Sequence, residues 1–418
     1  MAMPPGFPAR RAALRLIEAV LRKGETLDQA YGPATRDVRK PSDKALARAL
    51  ANECLRWLTD IDALIDGATK KRLPDDARAR MTLRLMIAGW LRLETPAHAV
   101  IATGLPLLSG GHRKLAHGVF SALSKADAQL PDAPSLPDHT ALRWDERGPA
   151  IASGLALPPP LDLQLRDASQ TQHWANQLSG DSLAEGHVRL ARGDVVEKLD
   201  GFKDGEWWVQ DLAASIPVSL LGAGEEKHAL DLCAAPGGKT MQLAAAGWNV
   251  TALDMSKRRL DLLKENLKRT GLKASAVRAD ALTWEPKHQF DAILLDAPCT
   301  ATGTCRRHPD VLHRIHAETI AEMAQLQAAL LERAQNWLKP GGTLVYAVCS
   351  LEPEEGEAIA AEISSQPNAL EPSPISASEL PQGLQPTKEG WLRTHPGMVA
   401  EHGGMDGFFI ARWKKAAA

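Results

Sequence analysis

The stretch DLCAAPGGKT at residues 231–240 decides the fold of the C-terminal half of this 418-residue chain. A short apolar run at 228–232 leads into it, and a helical pattern follows from Thr240 to Ala246. Small residues in a strand-to-helix turn let the backbone approach a ligand, and the following helix start offers free N–H groups. The glycine spacing fits neither a dinucleotide-binding turn nor a complete phosphate-binding loop. The stretch therefore predicts a ligand-binding turn of another kind.

Strand and helix patterns alternate downstream of residue 225, which predicts an α/β fold with a doubly wound, mainly parallel, Rossmann-like sheet. Ligands of such sheets bind at the carboxyl ends of the strands. Gly341 and Gly342 are expected to form the turn before the last strand of this series. The predicted strands are 228–232, 248–253, 274–279, 290–295 and 343–348, and the predicted helices are 240–246, 256–269 and 315–338.

Three acidic residues end successive predicted strands. Asp254 follows the second strand, where a carboxylate accepts hydrogen bonds from ribose hydroxyls. Asp280 ends the third strand at a position suited to the exocyclic amine of adenine, and Asp296 ends the fourth, near the expected reacting group. The alternative for each is that it caps the helix that follows. Three acids together with the glycine-rich turn favour a nucleoside-containing cofactor.

Two cysteines also follow predicted strands. Cys299 closes the sequence Asp-Ala-Pro-Cys at 296–299, and Cys349 lies between Val348 and Ser350. The alternative is that both are small buried hydrophobic residues, as free cysteines often are. Cys233 and Cys305 are assigned to that structural class, and Cys54 lies on an apolar helical stripe. The sequence thus places two thiols at the sheet edge where ligands are expected.

Helical periodicity without a strand pattern dominates the N-terminal part. We predict a compact helical domain at 1–127, a Pro-rich linker at 128–160, a small α+β subdomain at 161–215 and the sheet domain at 216–418. Asp43 is predicted to cap the second of two apolar stripes. These stripes are Ala13, Leu16, Ile17, Val20 and Leu21, and Leu50, Cys54, Leu58, Ile61 and Ile65.

Composition excludes several classes of protein. The apolar fraction of 44% indicates a folded chain, and the net charge of −2 gives no global sign of nucleic-acid binding. Five cysteines without a Cys-x-x-Cys pair fit neither a disulfide framework nor a zinc site. With no signal-peptide core and no membrane-spanning apolar run, we expect a cytoplasmic monomer without metal or membrane contact.

Five groups of residues resemble the RNA cytosine-C5 methyltransferases. The helical N-terminal domain also looks like a NusB-type RNA-binding module, and the combination is similar to the RsmB (Sun/Fmu) subfamily of small-subunit rRNA methyltransferases. The resemblance implies a class I methyltransferase fold with S-adenosyl-L-methionine as cofactor. The groups are 231–240; Asp296–Cys299 with Ala301–Gly303 and Arg306–Asp310; Cys349-Ser350 with Pro353-Glu354-Glu355; Trp208–Asp211; and Met405–Arg412.

The resemblance also implies roles for individual residues. The nucleophile of the family falls on Cys349, although Val348 stands where the family usually has Thr. The second cysteine, Cys299, is expected to assist product release, in the role of a base. The implied cofactor residues are Cys233, Ala234, Ala235, Pro236, Gly237, Gly238, Lys239, Asp254, Asp280 and Asp296.

The chemistry of cytosine methylation needs these residue types. C5 of cytosine is a poor nucleophile, but addition of a thiolate at C6 gives an enamine whose C5 attacks a methyl donor. A proton donor at N3 stabilises the developing charge, and a base then removes the C5 proton so that the thiol leaves. Cys349, Asp296 and the glycine-rich turn supply the thiolate, the acid and the cofactor site.

The implied substrate is a cytosine of 16S rRNA or of a small-subunit assembly intermediate, in a loop or flipped out of its stack. A tRNA cytosine-C5 methyltransferase and a non-catalytic RNA-binding or ribosome-assembly factor are the alternatives. Basic runs are the candidate phosphate contacts, although such runs are often only solvated surface. They are Arg306, Arg307 and His308; Lys257, Arg258 and Arg259; and Lys70, Lys71 and Arg72.

Overall fold

A computed structural model describes residues 4–193, 195–366 and 370–417 of the chain. The chain divides into two compact units. The helical unit comprises Met1–Leu157 and Cys305–Ile315, and the sheet unit comprises Pro158–Thr304 and His316–Ala418. The first unit therefore includes a segment, Cys305–Ile315, that is inserted between two parts of the second. We call it the inserted segment.

Amphipathic helices form the helical unit. They are α1 (Phe7–Lys23), α2 (Leu27–Thr35), α3 (Pro41–Arg56), α4 (Leu58–Gly67), α5 (Arg78–Leu91), α6 (Ala97–Gly104), α7 (Gly110–Lys125), α8 (Asp138–Trp144) and α9 (Gly148–Leu155). Both predicted stripes belong to its core: only Leu21 is partly buried, and the other nine residues are buried. Burying an apolar stripe of each helix against the others is the main source of stability in such a unit.

Two details of the helical unit differ from the predictions. The second stripe spans α3 and α4, which are separated at Trp57, and Asp43 is not a cap. The N-cap residue of α3 is Lys40, because Pro41 has the backbone angle of a first helical residue and no N–H to satisfy. Asp43 instead lies in the first turn, where its negative charge interacts favourably with the positive end of the helix dipole.

The segment predicted as a linker at 128–160 contains α8 and α9. Trp144, Ile151 and Leu155 are each at most 1% exposed, so much of this segment belongs to the compact helical unit, which extends to Leu157. Its prolines lie at helix starts: Pro137 is the N-cap residue of α8, and Pro149 follows Gly148, the first residue of α9. The Pro-rich composition therefore marks helix starts as well as a connection.

The sheet unit begins with a small three-stranded antiparallel sheet in the order β2-β1-β3. The sequence prediction of a small α+β subdomain at 161–215 covers these three strands, and the structure groups them with the larger sheet in one compact unit. Asp162 is fully buried, and its carboxylate binds Arg189 through two hydrogen bonds of 2.7 Å. Arg189 also donates to the carbonyl oxygens of His402 and Gly404, so this buried pair fastens the small sheet to a C-terminal loop. The elements are β1 (Leu161–Leu165), α10 (Thr171–Gln177), β2 (His187–Leu190), β3 (Trp207–Val209) and α11 (Leu212–Ser219).

The remaining elements are the strands of a larger, doubly wound sheet and the helices between them, except α14, which belongs to the helical unit. They are β4 (His228–Leu232), α12 (Gly238–Ala245), β5 (Asn249–Asp254), α13 (Lys257–Thr270), β6 (Ser275–Arg278), β7 (Phe290–Asp296), α14 (Val311–Arg314, in the inserted segment), α15 (Ala317–Trp337), β8 (Leu338–Val348), α16 (Glu357–Ser365), β9 (Leu370–Pro372), β10 (Leu392–Arg393) and β11 (Phe409–Lys415). The order is β10-β11-β8-β7-β4-β5-β6, with β9 on β11. Strands β4 to β8 pair in parallel, and β9, β10 and β11 pair antiparallel.

Strand β4 is the point where the order of the sheet reverses, because it pairs with β5 on one side and β7 on the other. A crevice opens at the carboxyl ends of the strands at such a point, and ligands bind there. Side chains of β7 alternate between two cores: Ile293 and Leu295 pack on one face, Ala292 and Leu294 on the other. The sequence prediction of a doubly wound α/β sheet is confirmed.

The two glycines at 341–342 do not form a turn that precedes a strand. Strand β8 begins at Leu338 and continues through them. The pairing with β7 jumps from Phe290–Leu338 to Ala292–Thr343, so the extra residues form a bulge. Gly341 has a φ of 75°, which favours glycine at this irregularity.

The inserted segment is held in the helical unit by backbone contacts. Arg56 Nη2 donates to the carbonyl oxygen of Arg306 over 2.8 Å, and a ring nitrogen of His313 lies 2.7 Å from that of Leu55. Val311, Leu312 and Ile315 are at most 3% exposed. The sequence analysis had assigned this segment to the sheet domain.

None of the helices formed by the described residues combines the length and apolar character that crossing a bilayer requires.

Candidate active site

The glycine-rich turn lies at the switch point of the sheet, between β4 and α12. Gly237 has a φ of 105°, and a Cβ there would lie 2.9 Å from Cγ of Leu263, so the turn requires glycine. Beneath it, the buried Asp231 accepts a 2.5 Å hydrogen bond from the Thr240 hydroxyl. Burial raises the pKa of Asp231 to about 7. Among the described residues, Asp231 Oδ1 is buried without a hydrogen-bond partner.

Asp254 connects this turn to the end of β5. Its Oδ2 accepts a hydrogen bond from the Ala235 N–H over 3.2 Å, and its Oδ1 accepts one from the Ser256 N–H over 2.8 Å. Ser256, not Asp254, is the N-cap residue of α13. Helix capping, the alternative for this acid, is therefore wrong. Arg259 lies 3.5 Å from the carboxylate and also donates to the carbonyl oxygen of Ala235.

A pocket of about 210 Å³ opens beside Asp254. Asp280 also lines it and has an exposed carboxylate, of which Oδ1 accepts a hydrogen bond from the Leu282 N–H. Met255 and Leu282 line it too and remain 69% and 38% exposed. Exposed apolar side chains beside acceptor carboxylates are the lining expected for a nucleoside with an apolar ring and hydroxyl donors.

The site fits the cofactor that the sequence resemblance implies. Asp254 and Asp280 offer acceptors to ribose hydroxyls and to an adenine amine, and the pocket also includes Cys233 and Pro298. S-adenosyl-L-methionine carries all of these donors. The donor and acceptor chemistry of the residues thus agrees with that of the cofactor.

Lys239 and Asp296 form an ion pair at the end of β7. The lysine Nζ lies 2.8 Å from Asp296 Oδ2 and 5.2 Å from the centroid of the Phe408 ring. Burial by itself would lower the pKa of Lys239, but the Asp296 carboxylate and the Cys349 sulfur raise it above its usual value. Lys239 therefore stays an ammonium group beside the two acidic groups of the site.

Cys299 and Cys349 meet in space although 50 positions separate them. Their Sγ atoms are 3.4 Å apart, within hydrogen-bond distance for sulfur, and both side chains are partly exposed. Cys299 follows β7 and Cys349 follows β8, which are adjacent parallel strands. The hydrogen bond with Cys349, burial and the charge of Glu355 hold the pKa of Cys299 well above its usual value. Cys299 is therefore a protonated thiol near neutral pH.

Cys233 lacks the properties of a nucleophile. Burial and the nearby carboxylates of Asp296 and Asp254 raise the pKa of its thiol to about 12. Cys54 is fully buried, and its pKa is also raised to about 12. The thiolate is the reactive form of cysteine, so both residues are inert thiols near neutral pH.

The loop after β7 packs closely against the loop before β11. A Cβ on Gly303 would lie 1.9 Å from the carbonyl oxygen of Gly407, so no side chain fits at this contact. Gly303 donates its N–H to the carbonyl oxygen of Cys349 over 3.0 Å and accepts a hydrogen bond from the Gly407 N–H over 2.8 Å. The two motifs, Ala-Thr-Gly at 301–303 and Met-Asp-Gly at 405–407, thus meet beside the loop that carries Cys349.

Comparison with known proteins agrees with this geometry. Residues 218–414 match the family model described as 16S rRNA methyltransferase RsmB/F, and residues 8–108 match the NusB family. The ribosomal RNA small subunit methyltransferase B of Salmonella arizonae is 34% identical, with 96% of this chain and 97% of that protein covered. The chain belongs to the RsmB/F methyltransferase family. It is an S-adenosylmethionine-dependent methyltransferase with a NusB-like helical domain.

Two further proteins support the assignment at different levels. The protein of the same name from Klebsiella pneumoniae is also 34% identical to this methyltransferase, covering 98% of this chain and 99% of that protein. The crystal structure titled PH0851 has a TM-score of 0.73 and 22% sequence identity, covering 99% of this chain and all of that one. This second likeness concerns the fold.

The residues predicted to bind the cofactor of this methyltransferase occupy three places. Cys233, Asp254 and Asp280 line the pocket, and Ala234 to Gly238 form the turn beside it. Lys239 and Asp296, in contrast, form an ion pair with each other at the end of β7. The sequence analysis missed this pairing because the two residues are 57 positions apart and no spacing rule connects them.

The predicted RNA contacts have different surroundings. Arg306 is fully buried in the helical unit, so its prediction as a surface phosphate contact is wrong. Arg307 and His308 are partly exposed, and His308 Nδ1 lies 3.8 Å from Asp28. The runs at 257–259 and 70–72 are exposed.

Two supporting residues were quoted only as parts of motifs. Gln210 packs against Gly238, at 3.0 Å from where a Cβ would lie, and accepts a hydrogen bond from the Trp208 indole. Glu355 is fully buried and bonds to both cysteine loops. From the sequence, Gln210 and Glu355 could be recognised only as polar residues that lie within a motif but have no assigned role in the chemistry.

Proposed function

We propose that this methyltransferase transfers a methyl group to C5 of a cytosine in 16S rRNA through a covalent bond between Cys349 and C6. The observation that carries the proposal is the 3.4 Å separation of the Cys299 and Cys349 sulfurs at the end of the sheet. Two thiols serve two steps: one adds to the base, and the other assists its release. S-adenosyl-L-methionine, when bound, supplies the electrophilic methyl group.

The Lys239–Asp296 pair is complementary to the pairing edge of cytosine. Cytosine presents a donor at its exocyclic amine and an acceptor at N3, and the pair offers a carboxylate acceptor and an ammonium donor. Uracil presents the opposite pattern, so the pair favours cytosine. Because the Asp296 carboxylate already accepts a hydrogen bond from the Lys239 ammonium group, we assign proton donation toward N3 to Lys239 and orientation of the amine to Asp296.

Addition of Cys349 to the base changes the environment of Cys299. The largest cause of its raised pKa is the hydrogen bond with Cys349, and the Cys349 charge adds to it. Both are removed once the Cys349 sulfur is bonded to C6. Cys299 then loses its proton to solvent more readily, and its thiolate takes the C5 proton after methyl transfer. The C5–H electrons restore the double bond as the Cys349–C6 bond breaks.

The choice of 16S rRNA rests on two similarities. The relatives at 34% identity are named ribosomal RNA small subunit methyltransferase B, and residues 8–108 resemble the NusB family. Exposed Lys257 and Arg258, at the start of α13, and the partly exposed Arg307 and His308 are the proposed phosphate contacts. Small-subunit rRNA, alone or in an assembly intermediate, is the proposed partner.

A product test decides the substrate. Purified protein is incubated with tritiated S-adenosyl-L-methionine and deproteinised 16S rRNA or tRNA that lacks 5-methylcytosine. We expect label in 16S rRNA, and bisulfite sequencing should locate it at a single cytosine. Label in tRNA alone would show a tRNA methyltransferase. The absence of label in either RNA and in small-subunit particles would favour a non-catalytic assembly factor.

Removal of the Asp254 carboxylate should weaken cofactor binding. Asp254→Asn deletes a charged acceptor in the pocket, and we expect the Kd for S-adenosyl-L-methionine to rise by about 10- to 100-fold. Isothermal titration calorimetry without RNA measures this directly. The matched control is Asp261→Asn, since Asp261 pairs with Lys257 on the same helix without lining the pocket. Equal affinities for both variants would contradict the assigned site.

A further inference from the structure

Glu355 connects the two loops that carry the reactive cysteines. It is fully buried, and its carboxylate accepts four hydrogen bonds. The Thr300 N–H donates over 2.9 Å and the Thr300 hydroxyl donates to the other oxygen. Ser350 donates its hydroxyl over 2.8 Å. Thr300 directly follows Cys299, and Ser350 directly follows Cys349.

The fourth donor ties the same carboxylate to helix α15. Gln327 Nε2 lies 2.8 Å from Glu355 Oε2 and 2.8 Å from the carbonyl oxygen of Pro298, the residue before Cys299. The Tyr346 hydroxyl donates to Gln327 Oε1 over 3.1 Å, which fixes the orientation of the amide. The single proton of this hydroxyl is shared with the backbone oxygen of Glu355, which lies 2.6 Å away. The carboxylate is therefore held from three sides.

An acceptor with two oxygens is the only side chain that satisfies this set of donors. All four donors are uncharged groups, so the carboxylate is not neutralised by an ion pair with any of them. Burying a charge in this way is costly unless every lone pair is used. An apolar side chain could fill the same space at a lower desolvation cost. The charge and its four bonds therefore serve the placement of the loops.

We propose that Glu355 is a positioning residue that sets the separation of the Cys299 and Cys349 sulfurs. The proposal deepens the proposed function, because it concerns the same pair of thiols. Glu355 does not line the cofactor pocket and acts through Thr300 and Ser350. Without the Glu355 carboxylate, Thr300 and Ser350 lose their common hydrogen-bond acceptor, and the two sulfurs move apart.

The sulfur separation can be measured without RNA. Diamide converts two adjacent thiols into a disulfide while taking up two hydrogen atoms itself, and peptide mass spectrometry identifies the Cys299–Cys349 product. Glu355→Gln replaces one acceptor oxygen by an amide donor that faces other donors. We expect at least about a 10-fold slower crosslinking rate in this variant, because small displacements strongly reduce reactions between positioned groups. The matched control is Glu354→Gln at the exposed neighbouring residue, which should crosslink at the wild-type rate.

The pH dependence of adduct release separates positioning from a general structural defect. The groups that raise the pKa of Cys299 are Cys349 and Glu355, and Tyr346 is the other titratable side chain coupled to this sulfur. Removing the Glu355 charge should lower the pKa of Cys299, so the rising limb of the release rate moves to lower pH. A merely structural loss would reduce the rate at every pH without moving the limb.

The outcomes are distinct. Wild-type crosslinking and an unmoved pH limb in Glu355→Gln would overturn the positioning role, whatever the activity. If Glu355→Gln unfolds, as judged by its melting temperature and its cofactor affinity, Thr300→Val decides, since it removes only the hydroxyl arm. An intermediate crosslinking rate in Thr300→Val supports the role, and a wild-type rate contradicts it. Failure of the proposed function would appear elsewhere, as an active Cys349→Ser variant.

Discussion

Cys349→Ser should abolish methyl transfer to RNA. A serine hydroxyl at neutral pH is a far weaker nucleophile than a thiolate, and no other group at the site replaces it. We expect a loss on the order of 10³-fold or more in the rate of tritium incorporation under single-turnover conditions. Binding of S-adenosyl-L-methionine should be unchanged, because Cys349 does not line the cofactor pocket.

The control for this variant is the removal of a thiol elsewhere. Cys54→Ala deletes a fully buried cysteine of the helical unit and should keep nearly wild-type turnover at a temperature below its lowered melting point. Product formation by Cys349→Ser at the wild-type rate would disprove attack by Cys349 and leave Cys299 as the candidate attacking sulfur.

Cys299→Ala should trap the enzyme on its substrate. Cys349 can still add to C6 and the methyl group can still be transferred, but the C5 proton then lacks its base. The methylated adduct accumulates because elimination of Cys349 requires loss of that proton. We expect an RNA-dependent, ribonuclease-sensitive band of lower mobility on a denaturing gel, at a yield approaching one adduct per protein.

The double variant Cys299→Ala with Cys349→Ser tests the origin of that band. It should form no adduct, since the attacking sulfur is gone. An adduct in the double variant would mean that another residue bonds to the RNA. If Cys299→Ala instead releases product at the wild-type rate, Cys299 is not the base, and its contact with Cys349 has another purpose.

Much of the sheet and its site could be predicted from local patterns. Alternating strand and helix periodicity gave β4, β5, β7 and the long helix α15 within a few residues, and strand ends located Asp254, Asp296 and both cysteines. This works because parallel strands bring their carboxyl ends to one edge of the sheet. Motif residues that are adjacent in the fold therefore need not be adjacent in the chain.

The contacts that depend on long-range packing could not be predicted from the sequence. Asp296, the partner of Lys239, is 57 residues away in the chain. Two of the donors to the Glu355 carboxylate, Gln327 and Thr300, are 28 and 55 residues away. No periodicity encodes such pairs. The prediction of Arg306 as a phosphate contact failed for a related reason. A basic run is expected to be exposed to solvent, yet the guanidinium of Arg306 is fully buried because the inserted segment packs into the helical unit. The bulge at Gly341 was likewise decided by pairing with β7, not by the glycines alone.

The inserted segment has a consequence for how this polypeptide can be divided. A single cut after Leu157 would leave the first fragment without Cys305–Ile315. The second fragment would carry Val311, Leu312 and Ile315 with nothing to cover them. Each half would then expose apolar surface that promotes aggregation. The helical unit is therefore encoded by two separate stretches of the gene. Recombination that exchanges only the N-terminal stretch would leave the original inserted segment, Cys305–Ile315, to pack against a helical unit with a different sequence.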